Sequence, residues 1–203
     1  SEVDAQRGSA TLSWLAITAN TRDAAMGNTS TFSDKDASAA MQNPAGLGRL
    51  KGGSAYFNHT SWIADMAITD FAVSYPVPYM GTFALMVRSM NYGGFEFTRR
   101  ADNPAGYVEI SDDQVGTVGG MLFGAAWGAK LTDQLSFGFQ ARYARDQLGQ
   151  TTVPSPGGDS LLVSDVLVDA FLYDAGTYFG TGWRSVALTM TVQNVGPRIT
   201  AST

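Results

Sequence analysis

Few side chains in this chain of 203 residues have the types and spacing that do chemistry. His59 is the single histidine, which excludes zinc sites needing two or three imidazoles and leaves any Ser-His-Asp triad to be built on it. It stands in Asn58-His-Thr-Ser-Trp62 within an alternating segment and reads as a histidine facing a lumen or an interface, not as a general base. Cysteine is absent, so disulfides, thiolate nucleophiles and Cys-based zinc are excluded, in keeping with an oxidising compartment. Asp34-Lys-Asp36 and Asp112-Asp113 offer oxygen ligands to calcium, but no EF-hand spacing follows, and they read as solvated loop acids. Gly176-x-x-x-Gly180-x-Gly182 has neither the phosphate-loop lysine nor a dinucleotide spacing and reads as a turn. No catalytic residue, cofactor or metal is expected, and the chain reads as a non-enzyme.

The informative charges are Arg88 and Arg142, each inside a long alternating segment. A guanidinium there needs a carboxylate partner and a polar side to face. Both are therefore expected to point inward with Gln140 and Asp174 and to pair with acids such as Asp70 or Asp174. Arg22 is a candidate member of the same network.

The composition limits what can position these groups. There are 18 acidic and 13 basic side chains, a net charge of −5, and charged residues make up 15% of the chain against 44% hydrophobic. Soluble domains carry about 25% charge, so groups that wet a surface are scarce. The set is 10 Arg to 3 Lys and 15 Asp to 3 Glu. Lys and Glu decorate exposed helices, so a helical soluble domain is disfavoured. The acidic balance excludes a nucleic-acid binder, which needs a basic face. Abundant Gly (23), Phe (11) and Tyr (8) suit strands and tight turns. No stretch of about 20 apolar residues exists to span as a helix; the run 115–129 is too short and too glycine-rich. Ser1 opens a polar stretch that fits a mature N-terminus after signal cleavage.

Residues 1–50 are compact but irregular. Leu12, Leu15, Ala16 and Ala19 recur at helical spacing and predict a short amphipathic helix. A second is predicted from a Ser33 cap to Asn43-Pro44, with a turn at Ala45-Gly46-Leu47-Gly48. Across 51–203 the period becomes two. Seven alternating segments follow, around 55–62, 67–75, 82–88, 116–128, 135–143, 173–179 and 186–193. One side carries residues such as Phe71, Leu85, Phe123, Phe139 and Leu188; the other is small or polar. Segments of about ten residues with this alternation are the pattern of a transmembrane antiparallel β-barrel. A soluble β-sandwich also alternates, but here the polar faces hold Gly and Ser in place of Lys and Glu. Short turns at 76–80, 131–134 and 180–182 and long loops at 95–113 and 147–165 suit periplasmic and extracellular sides, with 63–65 a short exception. Tyr75, Trp127, Phe179 and Trp183 fall beside the short turns, and Trp62, Tyr92 and Tyr143 near the long side, as headgroup-level aromatics do. Seven strands is an odd number for a bacterial barrel, which favours a piece of a longer chain.

Several motifs together resemble a known family. Trp14-Leu-x-Ile17, Arg22-Asp-Ala-Ala-Met26-Gly27 and Asn43-Pro44-Ala45-Gly46-Leu47 resemble the N-terminus of the PorV/PorQ family, related to the FadL fatty-acid transporters. Asn58-His-Thr-Ser-Trp62-Ile-Ala-Asp65, Asn91-Tyr-Gly-Gly94, Lys130-Leu-Thr-Asp133, Asp174-x-Gly176 and Val192-Gln-Asn-Val-Gly-Pro197 follow in order. The resemblance implies an all-β, FadL/PorV-like membrane barrel of about fourteen strands, about seven of them here. Residues 1–50 would be a small helical plug and 51–203 the first part of the barrel. It places the protein in the bacterial outer membrane, in contact with its lipid. Its partners would be C-terminal domains of secreted proteins and other type IX secretion components, with cargo shuttled at the cell surface. Phe95, Phe97 and Tyr107 in the first long loop are candidate docking residues. A FadL-like channel for hydrophobic small molecules, with the segment around Asn43-Pro44 as gate, and a purely structural barrel are the alternatives.

Overall fold

A computed structural model describes residues 12–18, 20–25, 27, 33, 35–63, 65–93, 97–100, 107–110, 118–154, 161–184, 186–196 and 201–202. Alternation of large apolar with small or polar residues gives strands wherever it is sustained. They are β1 (Ser54–Ser61), β2 (Ala67–Val77), β3 (Gly81–Asn91), β4 (Phe97–Arg100), β5 (Tyr107–Ile110), β6 (Gly119–Lys130), β7 (Leu135–Pro154), β8 (Leu161–Gly180), β9 (Ala187–Val195) and β10 (Ala201–Ser202). β1, β2, β3, β6, β7 and β8 form one antiparallel sheet in that order, and β9 and β10 lie along different stretches of β8. The sheet is thus seven strands wide. Each of the seven alternating segments contributes one strand. Among the described residues β1 pairs only with β2 and β9 only with β8, so the sheet has two edges.

Two expected loops are corrected. The segment 147–165 is mostly strand, because β7 and β8 run for 20 residues each. Thr151, Thr152 and Val153 pair with Ser164, Val163 and Leu162. Such β-branched runs hold an extended ladder. The segment 95–113 contains the separate β4–β5 hairpin. The N-terminal helices are also shorter than expected. Residues Ser13–Ala16 form a 3₁₀ turn, α1 is Thr21–Ala25 and α2 only Ala39–Gln42. Asp36 ends up accepting from the Ser38 backbone N–H at 2.8 Å in a local turn, the competition that keeps Asp and Ser out of helix interiors. The predicted turn after Asn43 is a 3₁₀ helix, Pro44–Arg49, capped by Asn43, whose Oδ1 accepts from Ala45 N–H at 3.0 Å.

The two faces of the sheet differ in an unusual direction. Phe57 (67% exposed), Leu85 (62%) and Phe171 (58%) stand in the open on one face, while Asp70 (0%), Asp174 (3%) and Arg88 (6%) are buried on the other. The N-terminal segment covers that second, inner face. Its Trp14, Ala37, Ala39, Ala40 and Leu47 form one core with Ala72, Met86, Met90, Leu122 and Ala126 of the sheet. Alanines dominate the segment's side of the contact, so its backbone lies close to the strands.

Candidate functional site

Strand register brings the inward polar residues together. Asp70 and Arg88 are direct cross-strand partners on β2 and β3, joined Oδ1 to Nε at 2.6 Å. Asn58 of β1 donates to Asp70 Oδ2 at 3.4 Å, and Arg88 Nη1 donates to the carbonyl of Ile17 at 2.9 Å. The pair therefore reaches from the sheet into the N-terminal segment. On β7 and β8, Arg142 Nη2 meets Asp174 Oδ2 at 2.6 Å, and Gln140 Nε2 donates to the same carboxylate. Asn194 adds its backbone N–H to Asp174 Oδ1 at 2.5 Å and accepts from Arg142 Nη2 at 2.8 Å through its side chain. Asp174 thus receives donors from three residues, and each guanidinium is neutralised by a carboxylate on the neighbouring strand. Such pairs survive burial because the desolvation of both ions is offset by short, multiple hydrogen bonds.

Nearer the ends of the long hairpins, the Tyr92 hydroxyl donates to Asp146 at 3.0 Å. Burial first, then the adjacent carboxylate, push the Tyr92 hydroxyl above its ordinary range, so it remains a donor. Tyr92 is consequently an inner-face residue, which corrects its expected place among the headgroup-level aromatics.

At the short-turn end the inner face is built from absence of side chains. Gly128, Gly138 and Gly176 are register partners across β6, β7 and β8. A Cβ on Gly128 or Gly138 would overlap the backbone of Pro44, and one on Gly176 would overlap the Asn43 side chain. The three form a trench that seats Asn43-Pro44-Ala45, all fully buried. Asn43 Nδ2 donates to the Thr177 carbonyl at 3.3 Å, and Gln193 Nε2 donates to the Gln42 carbonyl at 2.6 Å. Arg49 stacks over Tyr178 at 4.4 Å and donates to the Asp133 carbonyl at 3.3 Å.

The structure thus gathers Arg88, Gln140, Arg142 and Asp174 on one face above the seat of Asn43, Pro44, Ala45 and Gly46. Gly46 itself packs on Ser33 and Ala39. Arg22 lies in α1, Gly27 adopts a positive φ of 70°, and Met26 is outside the described residues. Phe95 is also outside them, whereas Phe97 and Tyr107 fall in β4 and β5 and not in a loop. His59 stands on the exposed face, where its Nδ1 lies 2.9 Å from Thr69 Oγ1. Sequence reasoning missed the glycine trench, Asn194 and Asp146. The trench had a signal: three glycines at inward phase in successive alternating segments. Among the described residues no cluster of His, Asp or Glu could hold a metal. Compared with known proteins, the chain matches no family model and none of the curated proteins.

Proposed function

We propose that this sheet is the wall of an outer-membrane β-barrel whose N-terminal segment plugs the lumen, and that the protein is of PorV/PorQ type. It would dock secreted cargo proteins at the cell surface in type IX secretion and catalyse nothing. The observation that carries the membrane reading is the inversion of polarity between the faces. Water around the outer face would leave Phe57, Leu85, Phe123, Phe171 and Leu188 exposed together, an apolar patch far beyond what monomeric soluble proteins tolerate. Hydrocarbon removes that cost and accounts for the two buried ion pairs, Arg88–Asp70 and Arg142–Asp174, lying on the inner face.

The dimensions support the same reading. The stretch of β7 from Leu135 to Tyr143, whose alternate residues face outward, is nine residues long, within the roughly 9–11 residues that a tilted strand needs to cross a bilayer. Above that stretch five of the six residues in one register row of the outer face are polar, His59, Thr69, Ser89, Arg145 and Asp169, with Met121 the apolar sixth. Below it stand Tyr75, Tyr79, Trp127, Phe179 and Trp183, a girdle beside the short turns. No helix of the described residues is long and apolar enough to cross a membrane, which is silent on strands.

Two features favour a cargo-handling surface over an open channel. The plug segment is keyed into the glycine trench, and β7 continues from Gln147 to Pro154, roughly 24 Å further along the strand, carrying a hairpin outward. The FadL-like alternative is favoured by one observation, a cavity between plug and wall partly lined by Met41, Met86 and Leu122.

The test separates environment from role. Phe123→Arg should reduce stable insertion by about 2–4 kcal/mol if the outer face meets lipid; on a water-exposed face the change would stay within about 0.5 kcal/mol. Folding in lipid vesicles, followed by heat-modifiable gel mobility, reads the difference, and a neutral result with the chain in the soluble fraction overturns the barrel. Mass spectrometry of proteins bound to the full-length protein from outer membranes then tests the role. Secreted proteins sharing a C-terminal domain support it, and apolar ligand without protein moves the assignment to the channel.

A further inference from the structure

The outer face carries a hollow in its middle. Register sets Leu85, Ala125, Ala141 and Tyr173 in one row across β3, β6, β7 and β8. In the next row toward the long hairpins, Phe123 and Tyr143 stand side by side, with Phe171 beyond. Ala125 and Ala141 are exposed and face each other. They floor an open groove of about 550 Å³, walled by Leu85, Phe123, Tyr143 and Tyr173. A hollow left unfilled forfeits the dispersion contacts of the side chains around it, and an apolar chain laid along the groove restores them.

The groove has a polar end. Tyr143, whose ring is tilted against Phe171 at 5.0 Å between centroids, donates its hydroxyl to Asp169 Oδ1 at 2.9 Å. Arg145, the register partner of Asp169, holds its Nε 3.7 Å from the same oxygen. That is ion-pair range but too long for a hydrogen bond, and the two side chains are 52% and 46% exposed. Exposed pairs of this kind hold each other weakly, so both charges are open to a ligand. Residues 141, 143 and 145 share one side of β7, and Arg145 stands roughly 13 Å along the strand from Ala141. An apolar floor and a loosely joined pair of opposite charges thus lie within reach of one amphiphile.

The charges select its head. A head with phosphate alone meets the Asp169 carboxylate, and a head with ammonium alone meets the Arg145 guanidinium. A head that joins phosphate to ammonium through a short linker satisfies both: Arg145 donates to the phosphate, and the ammonium donates to Asp169. We infer that this groove binds one phospholipid with a phosphoethanolamine head, its acyl chain over Ala125 and Ala141 and its head across Arg145 and Asp169. The inference rests on the lipid-facing reading of the outer face and adds to it a selected lipid at a defined place.

The experiment uses the full chain in oligo-oxyethylene micelles, whose heads carry no charge. Phosphatidylethanolamine, phosphatidylglycerol and diacylglycerol with the same acyl chains are added in equal amounts, and native mass spectrometry reads which stay bound. One phosphatidylethanolamine should be retained about fivefold more tightly than phosphatidylglycerol, the order of one exposed charge contact. Arg145→Gln and Asp169→Asn should each abolish that preference and leave diacylglycerol unaffected. Ala125→Phe, which fills the floor, should weaken retention of all three lipids. Heat-modifiable gel mobility shows that each variant is folded. Equal retention of the two phospholipids overturns the inference, as does a preference that the folded variants leave unchanged. So does a dimer that excludes phospholipid, which assigns the groove to a second copy. A chain that inserts into vesicles without the preference loses the site and keeps the barrel; one that stays soluble and inserts into none loses both.

Discussion

The inner face holds its N-terminal segment in two ways that differ in kind. At the short-turn end, Gly128, Gly138 and Gly176 make room, and the backbone of Asn43-Pro44 fills it. Farther along the strands, Arg88 and Arg142 fill space with charge, and the segment is held through a carbonyl, that of Ile17. The first arrangement gains close packing and depends on shape. The second depends on hydrogen bonds and an ion pair, and its side chains have a hydrophobic substitute in principle. Shape complementarity without side chains has no such substitute, since an added carbon at Gly128 or Gly138 meets the Pro44 backbone.

That contrast can be broken at the trench first. Gly138→Val puts a branched side chain where Pro44 lies, so the segment should fail to seat, at about 3 kcal/mol or more. Trypsin cleavage after Arg49 or Lys51 should then become fast in the folded sheet. Gly52→Ala, where an added carbon meets nothing within 4 Å, should cleave like the parent. Equal protection of both variants would show that the trench does not hold the segment.

A smaller effect is expected at the ion pair. Arg88→Ala leaves Asp70 buried beside Asn58 alone, at about 2–3 kcal/mol. It should loosen the segment and raise conductance of the full-length protein in planar bilayers. The double variant Arg88→Met with Asp70→Leu should recover most of the stability, because no charge is then left unpaired. Failure of that recovery would mean that the pair does more than hold, and conductance equal to the parent's in Arg88→Ala would remove its role as an anchor.

The smallest effect lies at the turn that Arg49 touches. Lys130 Nζ donates to Asp133 at 2.6 Å, and that bond, then the lysine's charge, hold the Asp133 carboxyl below its ordinary value of 3.8. A depressed folded value means the contribution is present above the unfolded value and is lost as pH falls through the folded one. Melting temperature should therefore be flat from pH 8 to 5 in this respect and drop slightly below about pH 4. Asp133→Asn should remove only that slight acid-dependent component. Both groups reach solvent, so 1 M salt should also abolish it.

The strand content was legible because the period of two is carried by large residues such as Phe71, Leu85, Phe123 and Phe139, and one face cannot be exchanged for the other without moving all of them. The partnership of Arg88 with Asp70 was legible for the same reason: facing direction and the cost of a lone buried charge leave few partners. The hairpin ends of β7 and β8 were not. Pro154 and the polar run after it look like loop, and only pairing with Leu161, Leu162 and Val163 reveals a ladder. The seat of Asn43-Pro44 was legible as a motif but not as a contact, since a glycine in a strand signals room without naming its occupant. Asn194 was hidden by phase: alternation through Gln193 turns it outward, and the bulge turns it back.

If the sheet is the wall of the proposed barrel, its width sets a condition on what closes it. Antiparallel neighbours reverse direction at every step, so strands one and seven of a seven-strand sheet run the same way. β1 and β9 therefore cannot join each other by an antiparallel seam, and neither can two copies standing the same way up in a membrane. Only an odd number of intervening strands restores alternation around a ring. An even number leaves one parallel junction, which amide exchange would report as a distinct pattern of protection along β1.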